Sequence, residues 1–325
     1  MKICFLDNTK FEYSYLDKHS PKLRGAETIF INLSENLKVY GHEVSVFNNC
    51  SKEIHDNNSN WFNINKINPS MNFDVAIANA DMRLLNNIKA SKKFVISHSL
   101  QSIEKFIRKS QLFSYFINKP SILLIGKYHM QNRSKLLSLF GTKIIDFAID
   151  DLFLETNLSN NIDNNLAIFT SRPDRNLDIL IKIWNEEILP NYRKGKLLTT
   201  PTDKINENDN IIFRKMNSQK ELIYDLLKSR IFLIPGHKAE LFCLAAEEAR
   251  ELCLPIVTLG IGSLSERVVH EKTGFVAKNN KEFADYTIEL FKNNDLWNNI
   301  RSNLLKLRGS KNWKNSAKLF LDSIS

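Results

Sequence analysis

The chain alternates short apolar runs, rich in β-branched and aromatic residues, with longer stretches whose apolar side chains recur at helical spacing. This alternation is typical of βαβ units built around parallel sheets. The first unit is predicted as a strand at 2–6, a helix that begins at Gly25 and ends at Gly41, and a strand at 43–47. Further strands are predicted at 73–78, 93–97, 121–125 and 143–149.

A polar stretch at 155–165 predicts a linker, and a second alternating series follows it. The strands of this series are predicted at 166–170, 196–199, 210–213, 231–235 and 255–259, and its helices at 177–188, 219–227 and 244–252. A last helix at 314–324 is expected to return to the first domain.

We therefore expect an α/β protein with two Rossmann-like doubly wound domains, at 1–155 and 156–310, and a C-terminal helical segment at 311–325. Open sheets of this kind bind ligands at the carboxyl ends of their strands. Two such domains facing one another would therefore hold a ligand in a central cleft.

Composition supports this architecture. The 325 residues are 43% apolar and 25% charged, which fits two soluble globular domains and excludes disordered, collagen-like and coiled-coil proteins. Asp7 interrupts the N-terminal apolar run too early for a signal peptide, so a cytoplasmic protein is expected. Buried free thiols are expected at Cys4, Cys50, Cys243 and Cys253, whose spacing fits neither a metal site nor a disulfide framework.

The formal net charge is +9, and the excess is concentrated in one strip of the first domain. Residues 89–145 contain eleven Lys and Arg against the single acid Glu104, a surplus of ten. The rest of the chain therefore sums to nine minus ten, about minus one. A localised excess of this kind favours an anionic partner at that strip.

The most informative segment lies at 235–257, where a predicted strand ends in a Pro-Gly turn and a helix begins near Phe242. Glu240 stands at the start of that helix, and Glu248 follows after seven intervening residues. A helix N-terminus binds anions through its unpaired N–H groups, whereas carboxylates suit hydroxyl donors such as sugars. A phosphate would then contact this turn at Glu240, Phe242, Cys243 and Leu244. A helix-terminal charge and a solvated helix face explain the same pattern equally well.

The Glu, seven residues, Glu pattern, followed by Ala249 and the Pro-Ile-Val run at 255–257, resembles glycosyltransferase family 4. This family comprises retaining nucleotide-sugar enzymes of the GT-B fold, and the resemblance covers most of the chain, most strongly 170–277. It implies that Glu240 contacts hydroxyls of the donor sugar and that Glu248 binds the nucleotide ribose. The family usually has Gly where this chain has Cys243, which implies an altered approach of the backbone to the sugar.

The Ser-Arg-Pro-Asp-Arg run at 171–175 follows a predicted strand and opens a helix. It resembles the basic pair with which the family holds the donor diphosphate, which assigns Ser171, Arg172 and Arg175 to that site. Fixed guanidinium groups can stabilise the charge that develops on a departing diphosphate. Because no D-x-D motif is present, a metal-independent reaction is expected. A charged first turn of a surface helix is the alternative explanation.

Two further stretches match the family in the right order. The Arg-Gly-Ala-Glu run at 24–27 resembles the loop that closes over the diphosphate, where Gly25 would allow close backbone approach. Arg24 stands where a second Gly is usual, and simple helix entry explains Gly25 nearly as well. Residues 213–216 lie where the family holds the nucleotide base, which implicates Met216 without identifying the base.

His98 follows the strand predicted at 93–97, at the ligand-binding edge of the first domain. Many family members place a His near the reacting centre, so the resemblance makes His98 a catalytic candidate that contacts the donor or the acceptor. A His at a strand end is, however, more often a structural hydrogen-bonding residue.

Within the basic strip, residues 102–119 interleave Phe106, Phe113, Tyr115 and Phe116 with several Lys and Arg. Such a segment could lie on an anionic membrane surface with its aromatic rings inserted. It could equally be a core-facing helix with a solvated basic side. Nucleic acid would use the same charges, but no RRM, KH or helix-turn-helix pattern supports that partner.

The prediction is a glycosyltransferase that moves a sugar from a nucleoside diphosphate donor to a saccharide or lipid-linked acceptor hydroxyl with retention of configuration, in cell-surface glycan or polysaccharide synthesis. No metal or other cofactor is expected, nor a nucleic-acid partner, and the cytoplasmic protein would contact an anionic membrane peripherally through 89–145. Two alternatives stay open. One is a nucleotide-sugar epimerase of the same fold, and the other is a non-enzymatic basic nucleic-acid-binding protein.

Overall fold

The computed structural model describes residues 1–20, 22–56, 59–100, 102–145, 147–158, 161–203, 207–216 and 218–324. The chain divides into two compact units, one formed by Met1–Ala148 with Trp313–Ser325 and the other by Ile149–Asn312. The division precedes the polar stretch at 155–165, because Ile149 and Phe153 are buried in the core of the second unit. The first unit therefore ends earlier than residue 155.

The described part of the first unit holds a sheet of eight strands in the order β3-β4-β2-β1-β5-β6-β7-β8. Neighbouring strands are parallel except β3 and β4, which are antiparallel. The strands are β1 (Lys2–Leu6), β2 (Glu43–Asn48), β3 (Ile54–Asp56), β4 (Ser59–Asn63), β5 (Asn72–Asn79), β6 (Lys89–Ile96), β7 (Ser121–Leu124) and β8 (Thr142–Ile144).

The helices α1 (Gly25–Val39), α2 (Ile103–Arg108), α3 (Leu112–Asn118) and α4 (Lys127–Asn132) belong to this unit, as does the last helix, Trp313–Ile324. Helix α1 buries Phe30, Leu33 and Leu37, the apolar face that its periodicity predicts. The last helix packs on the same unit, where the ring of Phe320 lies 5.9 Å from that of Phe94. Short 3-10 turns occur at Tyr15–Asp17, Ile64–Lys66, Met82–Asn87 and Lys135–Ser138.

The strands predicted at 2–6, 43–47, 73–78 and 121–125 are confirmed, with ends that differ by at most one residue. The strand predicted at 143–149 is wrong beyond Ile144, although the amide of Ile145 still donates to the carbonyl of Leu124 on β7 at 2.8 Å. Phe147, Ala148 and Ile149 are buried outside the strand. Phe147, for example, packs against Trp313 with ring centroids 5.9 Å apart. Strands β3 and β4 were not predicted, since their Asn- and Ser-rich sequence lacks an apolar alternation.

The described part of the second unit holds a fully parallel sheet of six strands in the order β11-β10-β9-β12-β13-β14. The strands are β9 (Leu166–Phe169), β10 (Lys196–Thr199), β11 (Ile211–Phe213), β12 (Ile231–Leu233), β13 (Ile256–Thr258) and β14 (Gly274–Val276). The helices are α5 (Asp151–Glu155), α6 (Leu177–Ile183), α7 (Gln219–Lys228), α8 (Leu244–Glu251), α9 (Leu264–Arg267), α10 (Asn280–Lys292) and α11 (Asn294–Leu307), which makes the last helix of the chain α12.

The five predicted strands of this unit are confirmed: β10 has the predicted ends, and the other four are one or two residues shorter. Strand β14 was not predicted. The helix predicted at 177–188 is α-helical only to Ile183 and continues as a π-helical turn at Trp184–Ile188. Helices α10 and α11 were not predicted, although the buried residues Phe283, Leu290 and Phe291 of α10 recur at helical spacing. Strand β1 lies between β2 and β5 in the first sheet, and β9 lies between β10 and β12 in the second, so the strand order reverses direction across the sheet at each of them. Open α/β sheets bind ligands at the carboxyl ends of the strands where this reversal occurs.

Candidate functional site

The loop after β9 holds the predicted basic pair. Arg172 and Arg175 share the carboxylate of Asp174, with Nη2–Oδ2 and Nη1–Oδ2 distances of 3.1 Å and 2.8 Å. Asn176 follows in the left-handed region, at φ 63°, and its side-chain amide donates to the carbonyl of Gly236 at 2.5 Å. The loop after β9 is thus held against the loop after β12. Asn176 was not predicted, although Asn is one of the few residues that commonly adopts this conformation.

Glu240 lies in the loop after β12 and meets this basic loop. Its Oε2 is 3.3 Å from Nε of Arg175, and both side chains are mostly buried, with exposed fractions of 18% and 16%. Burial raises the pKa of the Glu240 carboxyl, whereas the charges of Arg175 and Arg172 oppose that rise. The structure therefore brings together Arg172, Arg175 and Glu240, three of the residues predicted for the site.

Two glycines allow the loop containing Glu240 to pack on the loop after β13. Gly236 and Gly262 have φ values of 98° and 76°, in the region that favours glycine. A Cβ at Gly236 would lie 2.5 Å from the carbonyl oxygen of Ile261, and one at Gly262 would lie 2.3 Å from that of His237. The amide of Ser263 also donates to the carbonyl of Glu240 at 2.9 Å. The sequence analysis did not predict this packing of the two loops, although Gly236 follows the strand predicted at 231–235 and Gly262 follows the one predicted at 255–259.

The N-terminus of α8 lies directly after this loop. Phe242 is buried, and the guanidinium of Arg267 lies 4.3 Å from its ring centroid, so a ligand at this turn would meet its backbone. Cys243 caps the helix at φ 62°, a conformation that costs an ordinary side chain about 1 kcal/mol or more. The helix then begins at Leu244. The left-handed backbone gives a physical reason why glycine would suit the position of Cys243.

Two neighbouring glutamates on α8 have different surroundings. Glu247 is buried in an ion-pair cluster, with carboxylate oxygens 2.8 Å from Nε of Arg250 and 3.1 Å from Nη1 of Arg267. The side chain of Glu248 has no hydrogen-bonding or ionic partner among the described residues. Burial, followed by the nearby charge of Asp150, raises the pKa of Glu248 to about 7, against the opposing charge of Arg214. The carboxylate of Glu248 is thus unpaired in the described part of the chain, whereas that of Glu247, which was not predicted, is held by two arginines.

The remaining predicted residues of the second unit lie at the same edge of the sheet. The carbonyl of Ser171 accepts a hydrogen bond from Oγ1 of Thr200 at 2.9 Å, which joins the ends of β9 and β10. Met216 follows β11 and is exposed, and its sulfur lies 3.7 Å from Nη1 of Arg214. Arg214 is buried and pairs with Asp225 at 2.9 Å.

His98 follows β6 at the carboxyl edge of the first sheet. Its Nε2 lies 2.7 Å from Oδ1 of Asn79, and Asn79 also hydrogen-bonds the carboxyl of Asp7. Since the Asn79 amide N–H must donate to the carboxyl, its oxygen faces His98, and Nε2 of His98 is the donor. Burial lowers the pKa of His98 to about 4, so the ring is neutral at pH 7 and Nδ1 keeps its lone pair. Asp7 and Asn79 were not predicted to support His98.

Asp7 anchors this hydrogen-bonded group at the end of β1. It accepts hydrogen bonds from the hydroxyl of Tyr13 and from Oγ1 of Thr9, the latter at 3.2 Å. Burial raises the pKa of the Asp7 carboxyl, while these hydrogen bonds oppose the rise. The same Oγ1 lies 3.2 Å from Oε1 of Glu27, so the single hydroxyl proton of Thr9 is shared between two carboxylates, and Arg24 pairs with Glu27 at 2.6 Å. A buried polar group therefore links β1, β5, β6 and α1.

Gly25 is the first residue of α1, directly beside Arg24. It does not have a positive φ, so its backbone conformation does not require glycine. Close approach to a phosphate at this position stays a prediction.

Comparison with known proteins connects this geometry to a family. Residues 194–306, which include Glu240, Glu248 and the whole of α8, match the family model for glycosyl transferases group 1. This match confirms the predicted resemblance to those glycosyltransferases. No curated protein sequence matches the chain significantly.

Solved structures resemble the chain over its full length. A sucrose-phosphate synthase from Thermosynechococcus elongatus is 14% identical, with a TM-score of 0.70 over 99% of this chain and 98% of that one. WaaG, a glycosyltransferase involved in lipopolysaccharide biosynthesis, is 10% identical, with a TM-score of 0.67 over 99% of both chains. HepE from Anabaena in complex with UDP-glucose is 14% identical, with a TM-score of 0.67 over 100% and 99%. The chain therefore has the predicted GT-B fold.

The described residues form neither a membrane-spanning helix nor a cluster of metal ligands. None of their helices combines the length and apolar character needed to cross a bilayer. The same part of the chain contains no group of three or more His, Cys, Asp or Glu side chains arranged to hold a metal ion.

Proposed function

We propose that this protein is a retaining glycosyltransferase of family 4 that transfers a sugar from a nucleoside diphosphate to a hydroxyl acceptor in cell-surface glycan synthesis. The observation that supports it most is the contact of Arg175 with Glu240 beside the N-terminus of α8. Glu240 lies inside the segment that matches the family, and Arg175 lies before it in the sequence. Cations for a diphosphate and a carboxylate for sugar hydroxyls are the two groups such a donor requires.

The donor diphosphate would bind Arg172, Arg175 and the first backbone amides of α8. The amides of Ala246 and Glu247 donate to the carbonyl of Cys243, so those of Leu244 and Ala245 are the ones oriented toward a ligand. Arg175 is held by both Asp174 and Glu240 and is positioned before the donor arrives. A preformed arrangement of this kind stabilises charge that develops on the leaving diphosphate.

The two glutamates would bind the hydroxyl groups of the donor. Glu240 would accept hydrogen bonds from the sugar while Arg175 limits the cost of burying its carboxylate. Glu248, with a pKa near 7 and no protein partner in the described chain, would bind the ribose hydroxyls. Met216 would contact the base. Because the structure of HepE holds UDP-glucose, uridine diphosphate is the first nucleotide to test.

In the proposed reaction, the bond between the anomeric carbon and the diphosphate oxygen breaks, and a bond to the acceptor oxygen forms on the same face. The acceptor proton passes to the leaving phosphate oxygen, so no protein base is assigned. His98 would position the acceptor, since its neutral Nδ1 can accept a hydrogen bond from a hydroxyl group.

Calorimetric titration with nucleoside diphosphates, chosen first by a thermal-shift panel, tests the donor site. We expect Arg175→Ala and Glu248→Ala each to weaken binding about tenfold or more, the value of one lost charge-assisted hydrogen bond. Arg193→Ala, an exposed arginine of the same unit, is the matched control and should bind like the wild type. Unchanged affinity in both site variants would contradict the assignment. If incubation with a nucleotide-sugar donor alone changed the configuration of its sugar, the protein would instead be an epimerase.

We further propose that an exposed apolar and basic surface of the first unit contacts an anionic membrane. The predicted segment at 102–119 forms two short helices that bury Phe106 and Tyr115 but leave Phe113 74% exposed. Tyr115 joins this region to the turn at Lys135–Ser138, since its hydroxyl accepts from the amide of Leu139 at 2.9 Å. We call this the apolar-basic surface, formed by Ile107, Phe113, Phe116, Ile117, Leu136 and Leu139 with Lys109, Lys119 and Lys135.

Charge complementarity favours a lipid surface, because exposed apolar side chains beside lysines suit the boundary between anionic headgroups and acyl chains. Co-sedimentation with phosphatidylglycerol vesicles should therefore exceed that with phosphatidylcholine vesicles. The double variant Phe113→Ser, Phe116→Ser should lose most of this binding, whereas Tyr224→Ser, which changes a 63% exposed aromatic residue of the second unit, should not. Equal sedimentation of all three proteins with phosphatidylglycerol vesicles would refute membrane contact through the apolar-basic surface. Tight binding to nucleic acid with no binding to vesicles would refute membrane contact altogether.

A further inference from the structure

A small cavity lies beside His98 in the first unit, at the carboxyl ends of β5 and β6. Its volume is about 40 Å³, room for about three water-sized groups. The cavity is lined by Ala80, Met82, Val95, Ser97, His98, Ser99, Lys105, Phe106, Lys109 and Gln111. Two lysines and no carboxylate thus line the space next to the residue proposed to position the acceptor.

Lys105 is half-buried in this lining without a counter-ion. Its ammonium group donates to the hydroxyl of Ser99, and it has no ion pair with any described residue. Burial lowers the pKa of Lys105, and the positive charges of Lys109 and Arg108 lower it further. A partly desolvated cation normally has a carboxylate partner, because desolvation otherwise destabilises its charged form.

Two acids lie next to lining residues in the sequence, and neither of them lines the cavity. Glu104 precedes Lys105, but it is exposed. Asp81 follows the lining residue Ala80, but it pairs with Arg83 at 2.6 Å and accepts from Asn8 at 2.8 Å. Gln111, another lining residue, accepts from the amide of Met82 and donates to the carbonyl of Ala80, so its side chain holds the backbone of these two lining residues. The positive charge in the cavity is therefore not balanced by the groups that surround it.

The loop that holds Ser99 is itself fixed. Nε2 of the buried His129 donates to the carbonyl of Ser99 at 3.1 Å, and Nδ1 accepts from the amide of Ile125 at 3.4 Å. Oγ of Ser97 also donates to the carbonyl of Ser99 at 2.9 Å. Ser99 and the ammonium group that it binds are thereby held in place before any ligand enters.

We propose that this cavity binds an oxyanion, a phosphate or a carboxylate, carried by the acceptor. Lys105 and Lys109 provide the charge, and Oγ of Ser99 provides a further hydrogen-bonding group. Nδ1 of His98 accepts from a neighbouring hydroxyl of the same molecule. The inference rests on the proposed transferase function and narrows its acceptor to an anionic one.

Site-resolved lysine acetylation tests the proposal on the full-length protein. Mass spectrometry would follow labelling of Lys105 with inorganic phosphate, with sodium acetate, or with sodium chloride at equal ionic strength. We expect phosphate or acetate to slow labelling of Lys105 about fivefold or more at saturation. Stronger protection by phosphate identifies a phosphorylated acceptor, and equal or stronger protection by acetate identifies a carboxylated one. Lys143 on β8 and the exposed Lys220 are internal controls that should be labelled at unchanged rates.

Calorimetric titration with phosphate complements the labelling. Lys105→Met should lose the heat of this site, whereas Lys143→Met should retain it, and both should bind uridine diphosphate like the wild type. If neither phosphate nor acetate protects Lys105 from acetylation while nucleotide binding is intact, the oxyanion site is refuted and the transferase proposal stands. Protection of Lys105 in a protein that binds no nucleoside diphosphate would instead contradict the transferase proposal.

Discussion

The carboxyl edges of the two sheets manage buried charge in different ways. In the second unit, ion pairs neutralise the buried carboxylates of Glu240, which pairs with Arg175, and of Glu247, which pairs with two arginines. In the first unit, His98 and Asp7 belong to one hydrogen-bonded group in which the imidazole is neutral. Fixed charges suit a diphosphate that must be held as an anion. A neutral, oriented acceptor atom suits a hydroxyl group that must be positioned.

The largest effect is expected from breaking the ion-pair cluster of the second unit. Glu247→Ala leaves the mostly buried guanidinium groups of Arg250 and Arg267 without their carboxylate. We expect the free energy of unfolding to fall by about 3 to 5 kcal/mol. Urea denaturation measures this, with Glu289→Ala on the exposed side of α10 as the control. A loss no greater than that of the control would mean that the cluster is not stabilising.

Protonation of His98 should break the hydrogen-bonded group of the first unit. Because its folded-state pKa of about 4 lies below the ordinary 6.5, the unfolded chain binds the proton more readily, and stability falls as pH decreases from 6.5 towards 4. Over this pH range, the free energy of unfolding of the wild type should fall by about 2 kcal/mol more than that of His98→Gln, which retains a hydrogen-bond donor for Asn79. The comparison with the variant matters because the pKa of His129 is also lowered to about 4.

Nitrogen-15 NMR of the imidazoles would sharpen this result. We expect His98 to stay neutral, with the proton on Nε2, throughout pH 5 to 8. Titration of the His98 ring near pH 6.5 would show that burial does not determine its protonation state.

A smaller effect of opposite sign is expected at Glu248. Since its folded-state pKa of about 7 lies above the ordinary 4.5, the folded chain retains the proton, and stability falls as pH rises from 4.5 to 7. Relative to Glu248→Gln, the free energy of unfolding of the wild type should fall by about 1 to 2 kcal/mol between pH 4.5 and 7, and by little more above pH 7. Unfolding curves at several pH values measure the difference. Parallel curves for the two proteins would mean that Glu248 is as well solvated as a surface carboxyl group.

Local patterns of the chain were sufficient for most of the fold and part of the candidate site. Strands such as β1 and β10 follow from short apolar runs, and the positions of Arg172, Arg175 and Glu240 follow from loops at predicted strand ends. Parallel strands bring such loops to one edge, so residues that are 65 positions apart, Arg175 and Glu240, could be expected near each other. Strands β3 and β4 lack this pattern, and only their pairing in the sheet forms them.

Tertiary structure alone decided the protonation and pairing of the site residues. Glu247 and Glu248 are adjacent and identical in type, yet one faces Arg267 and the other has no partner among the described residues. His98, Asn79 and Asp7 meet because three strands that are separate in the chain end side by side. The reason is physical: burial and charge neighbours set a pKa, and both depend on contacts between residues far apart in sequence. The sequence determined which chemical groups reach each edge, and folding determined which of them are charged.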